Sequence, residues 1–128
     1  MKILARSVIV LAIAAVSNAA AAAPSKADTL LGKRLFLRCT ACHTMSSKAP
    51  GKVGPHLQGI VGRKAGSVAG FGYSPAMKGS SIVWNEATLD KWLQRPQAVV
   101  PGTTMAFAGL SKPEDRQALI AYLKKPVP

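Results

Sequence analysis

Cys39-Thr40-Ala41-Cys42-His43 is the stretch on which the fold turns. The chain has two cysteines, both here and three apart, with a histidine directly after the second. That pattern is the one for covalent attachment of a c-type haem. Two intervening residues let one turn of backbone carry both sulfurs to the two vinyl groups on one porphyrin edge. The next side chain then lies under the ring, where the imidazole of His43 can bind the iron. Two other readings compete. A zinc site lacks ligands, because His56 would have to come from a Gly/Pro loop at no familiar spacing. A redox dithiol lacks its usual βαβ setting. The reading adopted is one haem c, held by thioethers to Cys39 and Cys42.

Upstream, Lys2 and Arg6 precede an apolar run from Val8 to Val16 and a small-residue stretch that reaches Ala23. A charged start, a short apolar middle and an alanine-rich end spell an export signal. It is predicted over residues 1–22, with the cut after one of the alanines Ala19 to Ala22, and residues 23–128 then form a single domain. The expected location is the periplasm. The uninterrupted apolar run falls short of the ~20 residues that span a bilayer, and a retained leader that tethers the protein to a membrane is the alternative.

Seventeen bases against five acids give a net charge of +12. Without Lys2 and Arg6, fifteen bases remain against the same five acids, a net of +10. Such a balance calls for an acidic partner. Nucleic acid is the first alternative for a basic protein, but an exported chain meets little of it, and these bases are spread out with few aromatics between them. Acidic redox partner proteins are expected, with at most transient contact with a membrane surface, for a protein acting as a monomer.

Three helices are predicted. The first opens at Ala27-Asp28-Thr29, with Asp28 or Thr29 as its cap, and carries Leu31, Leu35 and Phe36 at helical spacing. Gly32 inside it costs about 1 kcal/mol relative to alanine, which points to a second helix crossing closely there. Asn85 caps the next, whose face is Leu89, Trp92 and Leu93 before Pro96 stops it. Ser111-Lys112-Pro113-Glu114 reads as a capping box ahead of Leu119, Ile120, Tyr122 and Leu123. Between the first two lies Thr44 to Val83, with eight of the eleven glycines and no lasting period. Its isolated apolar residues, among them Leu57, Ile60, Phe71, Tyr73 and Met77, make sense as a wrapping that closes on something apolar. The fold class is all-α, with long loops.

A haem with two protein ligands mainly passes electrons, whereas one with an open site binds small molecules. Met45 is too near His43 to reach the opposite face, and His56, beside Pro55, is expected at the surface. Met77 and Met105 both remain, and spacing leans towards Met105.

The chain from Gly32 to Lys125 resembles a class I cytochrome c. The resemblance is carried by Cys39 to His43, Gly54-Pro55, Gly62-Arg63-Lys64, Phe71-Gly72-Tyr73, Ile82-Val83-Trp84, Pro101-Gly102-Thr103 through Gly109, and Leu119-Ile120-Ala121-Tyr122-Leu123. It implies a class I cytochrome c fold and Met105 as the second iron ligand. It also implies that the Pro55 carbonyl holds the imidazole, that Tyr73 and Trp84 donate to a haem propionate, and that Arg63 lies close to that propionate. Gly32 and Phe36 should meet the last helix near Tyr122. Three positions depart from the mitochondrial pattern: Trp92 replaces a tyrosine, Met77 an asparagine and Thr104 a lysine. The first two should make the pocket around the ligand sulfur more apolar.

The expected function is a periplasmic carrier, not an enzyme, that shuttles single electrons through a His/Met-ligated haem. Its partners could be an oxidase, a reaction centre, a bc-type complex or a dehydrogenase, docking at a haem edge ringed by lysines such as Lys33, Lys48 and Lys52. The rival from another class is a haem peroxidase or gas-binding protein with an open sixth site.

Overall fold

A computed structural model describes residues 24–128. The predicted leader and its cut site lie outside the described residues. The elements in chain order are α1 (Lys26–Phe36), α2 (Pro75–Lys78), α3 (Glu86–Gln94), α4 (Pro96–Val99) and α5 (Pro113–Lys124). No β-strand forms among the described residues, only an isolated antiparallel bridge between Lys64 and Val83.

The cap of α1 is Ser25, not Asp28 or Thr29. Its hydroxyl accepts from the Asp28 N–H at 3.2 Å while the Asp28 carboxylate accepts from the Ser25 N–H at 2.9 Å, so the acid predicted as the cap is the reciprocal member of a capping box. The Ser25 hydroxyl also donates to that carboxylate at 2.7 Å, and this bond, ahead of the one from the Ser25 N–H, holds Asp28 below the usual range. One face of α1 lies across α5. A Cβ on Gly32 would collide with the Ala118 carbonyl and stand 2.8 Å from Tyr122 Cβ, closer than real Cβ contacts. Phe36 and Tyr122, both buried, stack beside it with ring centroids 5.4 Å apart at 45°. The predicted close crossing is therefore where Gly32 puts it.

Helix α3 is capped as expected: Asn85 and Thr88 each accept the other's backbone N–H at 2.8 Å. It buries Leu89, Trp92 and Leu93. Pro96 does more than stop it, since a short α4 restarts at that proline. The box expected at Ser111 does not form. The cap of α5 is Lys112, which puts Pro113 at the first helical position, where a missing N–H costs nothing. The Ser111 carbonyl is taken instead by Arg116, whose Nη1 donates to Leu110 and Ser111 at 2.9 and 2.8 Å and whose Nε donates to Asp90 at 2.8 Å. This buried guanidinium clamps the start of α5 to α3.

The long segment after His43 is more ordered than its lack of period implied. Gly54 N–H donates to the Cys42 carbonyl at 2.8 Å and Leu57 N–H to that of Thr44 at 2.7 Å, folding it back on the cysteine turn. Trp84 N–H donates to Arg63 at 2.9 Å and Ala65 N–H to Ile82 at 2.8 Å, so the bridge holds Arg63 next to Trp84. Ser74 caps the single turn of α2 within it.

Candidate haem-binding site

The cysteine turn follows directly from α1. Past Phe36 the backbone tightens: Cys39 N–H donates to the Phe36 carbonyl and His43 N–H to that of Cys39, each at 2.8 Å. Cys39, Cys42 and His43 thereby reach one cavity of about 330 Å³. Arg63, Tyr73, Trp84 and Met105 line it as well, so the seven residues singled out from the sequence share one wall. Most of the remainder is apolar, including Leu57, Ile60, Leu89, Leu93, Phe107 and Leu123.

His43 is fixed from below. Its Nδ1 lies 2.7 Å from the Pro55 carbonyl, which can only accept, so Nδ1 carries the proton and Nε2 keeps its lone pair. A Cβ on Gly54 would come within 2.7 Å of that same Nδ1, which explains why the residue before Pro55 has none. Burial pushes His43 below the ordinary histidine range. The Pro55 bond opposes this, and the charge on Lys52 adds to it. A neutral imidazole with one oriented N–H is the form that binds a metal. Burial also pushes the Cys39 thiol up, against the weaker pull of Arg38. Reactive dithiols need a depressed thiol, so the shift runs against the redox reading and suits a sulfur whose part is to be bonded.

The methionines separate in part. Met45 is not on the cavity wall, whereas Met77 and Met105 both are. Met77 is packed into the core on α2, while Met105 is only half-buried and sits in an irregular loop. That loop is held at Thr103, whose carbonyl accepts from Gln97 Nε2 at 2.9 Å and whose hydroxyl accepts from the Met105 N–H at 3.3 Å. Gln97 was not foreseen, because nothing in the sequence announced α4. His56, expected at the surface, is instead half-buried with its Nδ1 shut away from solvent and unpartnered. Its carbonyl accepts from Arg63 at 2.9 Å, and this backbone contact draws the residue inward. Of the bases, Arg38, Arg63 and Lys64 line the cavity; Lys33, Lys48 and Lys52 do not, and the Lys52 ammonium folds onto the Thr40 carbonyl.

The residues present fit a covalently held haem. Two thiols, an imidazole with one nitrogen free and two thioethers face one apolar hollow, and donors with unfilled capacity stand beside them. Tyr73 O accepts from the Val68 N–H at 3.3 Å, which leaves its own proton to give, and the indole N–H of Trp84 has no acceptor among the described residues.

A helical domain that closes long loops over one cofactor at a Cys-x-x-Cys-His turn defines the class. Comparison with known proteins supplies the family: the sequence model described as Cytochrome c matches residues 30–125. Cytochrome c2 of Rhodomicrobium vannielii is 50% identical over 103 residues, 80% of this chain and 82% of that protein. Cytochrome c-550 of Nitrobacter winogradskyi is 45% identical over 98 residues, covering 77% and 90%. Among solved structures, cytochrome cH from Methylobacterium extorquens is similar with a TM-score of 0.71 and 43% identity, covering 76% of this chain and 97% of that one. The chain belongs to the cytochrome c family. It is a haem-based electron carrier with one covalently attached haem c, and its relatives are electron-transfer cytochromes rather than enzymes.

Proposed function

We propose that this cytochrome is an exported, periplasmic carrier of single electrons, with iron held between His43 Nε2 and Met105 Sδ. The supporting observation is the pairing of His43 Nδ1 with the Pro55 carbonyl at 2.7 Å, which commits one nitrogen to the protein and leaves the other for a metal. The haem supplies an iron centre that accepts and releases one electron. The protein's own residues do the rest. Cys39 and Cys42 anchor the group through thioethers, and a thioether ligand from Met105 favours the reduced iron. Tyr73, Trp84 and Arg63, which line the cavity, would hold a propionate, while Leu57, Ile60, Leu89 and Leu93 would exclude water. Beside His43 and the cysteines, the titratable groups on the wall are Arg38, Arg63, Lys64 and Tyr73. No carboxylate or second histidine that could move protons for an enzyme is among these described residues.

Charge supports docking to an acidic redox partner. Between Asp28 and Glu86 the chain has eight bases and no acid, whereas four of the five acids lie on α3 and the start of α5. The partner would meet surface from that acid-free stretch, with Arg38 and Lys64 as the exposed bases on the cavity wall. The leader would span residues 1–22 and leave a single domain of residues 23–128 acting as a monomer. No helix among the described residues is long and apolar enough to cross a membrane.

The test is an optical spectrum of the haem-loaded protein, oxidised and reduced, with and without carbon monoxide. A low-spin spectrum with the weak far-red band of an iron–thioether bond, lost in Met105→Ala and kept in Met77→Leu, is expected. A high-spin spectrum or ready carbon monoxide binding by the unaltered protein overturns the closed site. N-terminal sequencing of the exported protein separates a cut leader from a retained one.

A further inference from the structure

Trp92 is a buried indole that lines the haem cavity from α3. Its one polar atom, Nε1, can only donate. No described residue accepts from it, yet it is not sealed in the core, because the sole fully enclosed and unpartnered side-chain nitrogen or oxygen among the described residues is His56 Nδ1. The N–H therefore keeps some accessible surface, on a ring that lines the cavity. The ring leans on Trp84, centroids 5.1 Å apart at 57°, and both indoles line the hollow.

A donor left without a protein acceptor on the wall of a mostly apolar hollow has to be met by whatever fills it. The strong hydrogen-bond acceptors of a haem are its two propionate carboxylates. We propose that Trp92 Nε1–H is a further donor to those propionates beside Trp84, which makes Trp92 a positioning residue that tunes the iron. The inference rests on the reading above that Tyr73 and Trp84 mark the propionate end. A carboxylate near the iron favours the ferric state, and each hydrogen bond to it draws off charge and moves the balance towards ferrous. The indole that replaces the family's tyrosine thus serves the propionate end of the pocket instead of the ligand sulfur.

The experiment uses the haem-loaded protein and compares Trp92→Phe and Tyr73→Phe with the parent, by reduction potential against pH and by ¹H–¹⁵N spectra of the indoles. In the parent, the Trp92 N–H should exchange with solvent at least about tenfold more slowly than an exposed indole and should shift as the propionate titrates. Trp92→Phe should lower the potential and move the propionate's titration to higher pH, with the far-red band unchanged. If Trp92→Phe moves the far-red band and leaves the pH profile alone, the N–H serves Met105 and the inference fails. If Tyr73→Phe changes the profile and Trp92→Phe does not, the inference fails while the propionate reading stands; if neither does, both fall. The indole exchange and shift in the parent decide the matter even where Trp92→Phe does not fold.

Discussion

Two regions of this protein reach order by different means. The crossing of α1 and α5 is complete as polypeptide: Gly32 lies on the Ala118 carbonyl, Phe36 stacks on Tyr122, and nothing is missing between them. The segment from Thr44 to Val83 has one helical turn and one bridge of its own, and its Leu57, Ile60, Phe71, Tyr73 and Met77 line the hollow that the haem fills. The first is held by contacts between helices; the second is a wall whose other half is the cofactor. What stabilises a stretch of chain can thus lie outside the chain.

The largest effect should come from taking that other half away. Without the haem, the apolar side chains around a hollow of about 330 Å³ face water in place of a partner, a loss set against a domain stability of only ~5–15 kcal/mol. The Cys39→Ala, Cys42→Ala chain made without haem should lose most of its helical circular dichroism. A cooperative, native-like melting transition in that chain would break the comparison, since the loop would then be holding itself. Second in size is Arg116→Ala, within the helical region. It strips two carbonyls and Asp90 of a buried partner, and losses of this kind run to about 3–5 kcal/mol. The melting temperature should fall by more than about 10 °C with the haem spectrum of the folded protein unchanged; an altered spectrum would mean that the frame and the site are not separate.

The same division explains what the sequence could disclose. Helical period, the Asn85 cap and a glycine inside α1 are local signals, and the all-α class and the crossing at Gly32 follow from them. The Cys-x-x-Cys-His turn is short enough to be legible whole, and it named the cofactor. Boundaries fared worse where two candidates competed for one cap. Ser25 reaches the Asp28 N–H and displaces Asp28 as the cap, and Pro113 prefers the first helical position, which moves the start of α5 past Ser111. Long-range partners were not legible at all. Nothing near Arg116 announces that it closes on Asp90, twenty-six residues earlier, and the inward turn of His56 depends on Arg63 grasping its carbonyl. The likeness to a known family gathered Arg63, Tyr73, Trp84 and Met105 before the fold did, because these distant residues share no local pattern.

One substitution made in both regions sharpens the contrast. Gly32→Ala drives a methyl into the backbone of α5, and overpacking of this sort costs about 1–3 kcal/mol. Melting should fall by several degrees while the spectrum stays that of the parent. Gly54→Ala drives the same methyl against the His43 ring. Here the spectrum should change, through a displaced imidazole, before stability does. Identical readouts from the two variants would show that the loop and the crossing are one unit.

The smallest effect separates two ion pairs that join the same helices. Lys124 and Glu86 meet at 2.5 Å but are 54% and 62% exposed, whereas Arg116 against Asp90 is 6% exposed. Water solvates both members of the outer pair almost as well apart as together, and salt screens what attraction is left. A double-mutant cycle of Lys124→Gln and Glu86→Gln should therefore return a coupling below about 0.5 kcal/mol, vanishing at high salt. A coupling several times larger would mean that α3 and α5 are held at their exposed ends as firmly as at Arg116. The helical region would then owe its order to surface charge as well as to the buried clamp and the crossing at Gly32.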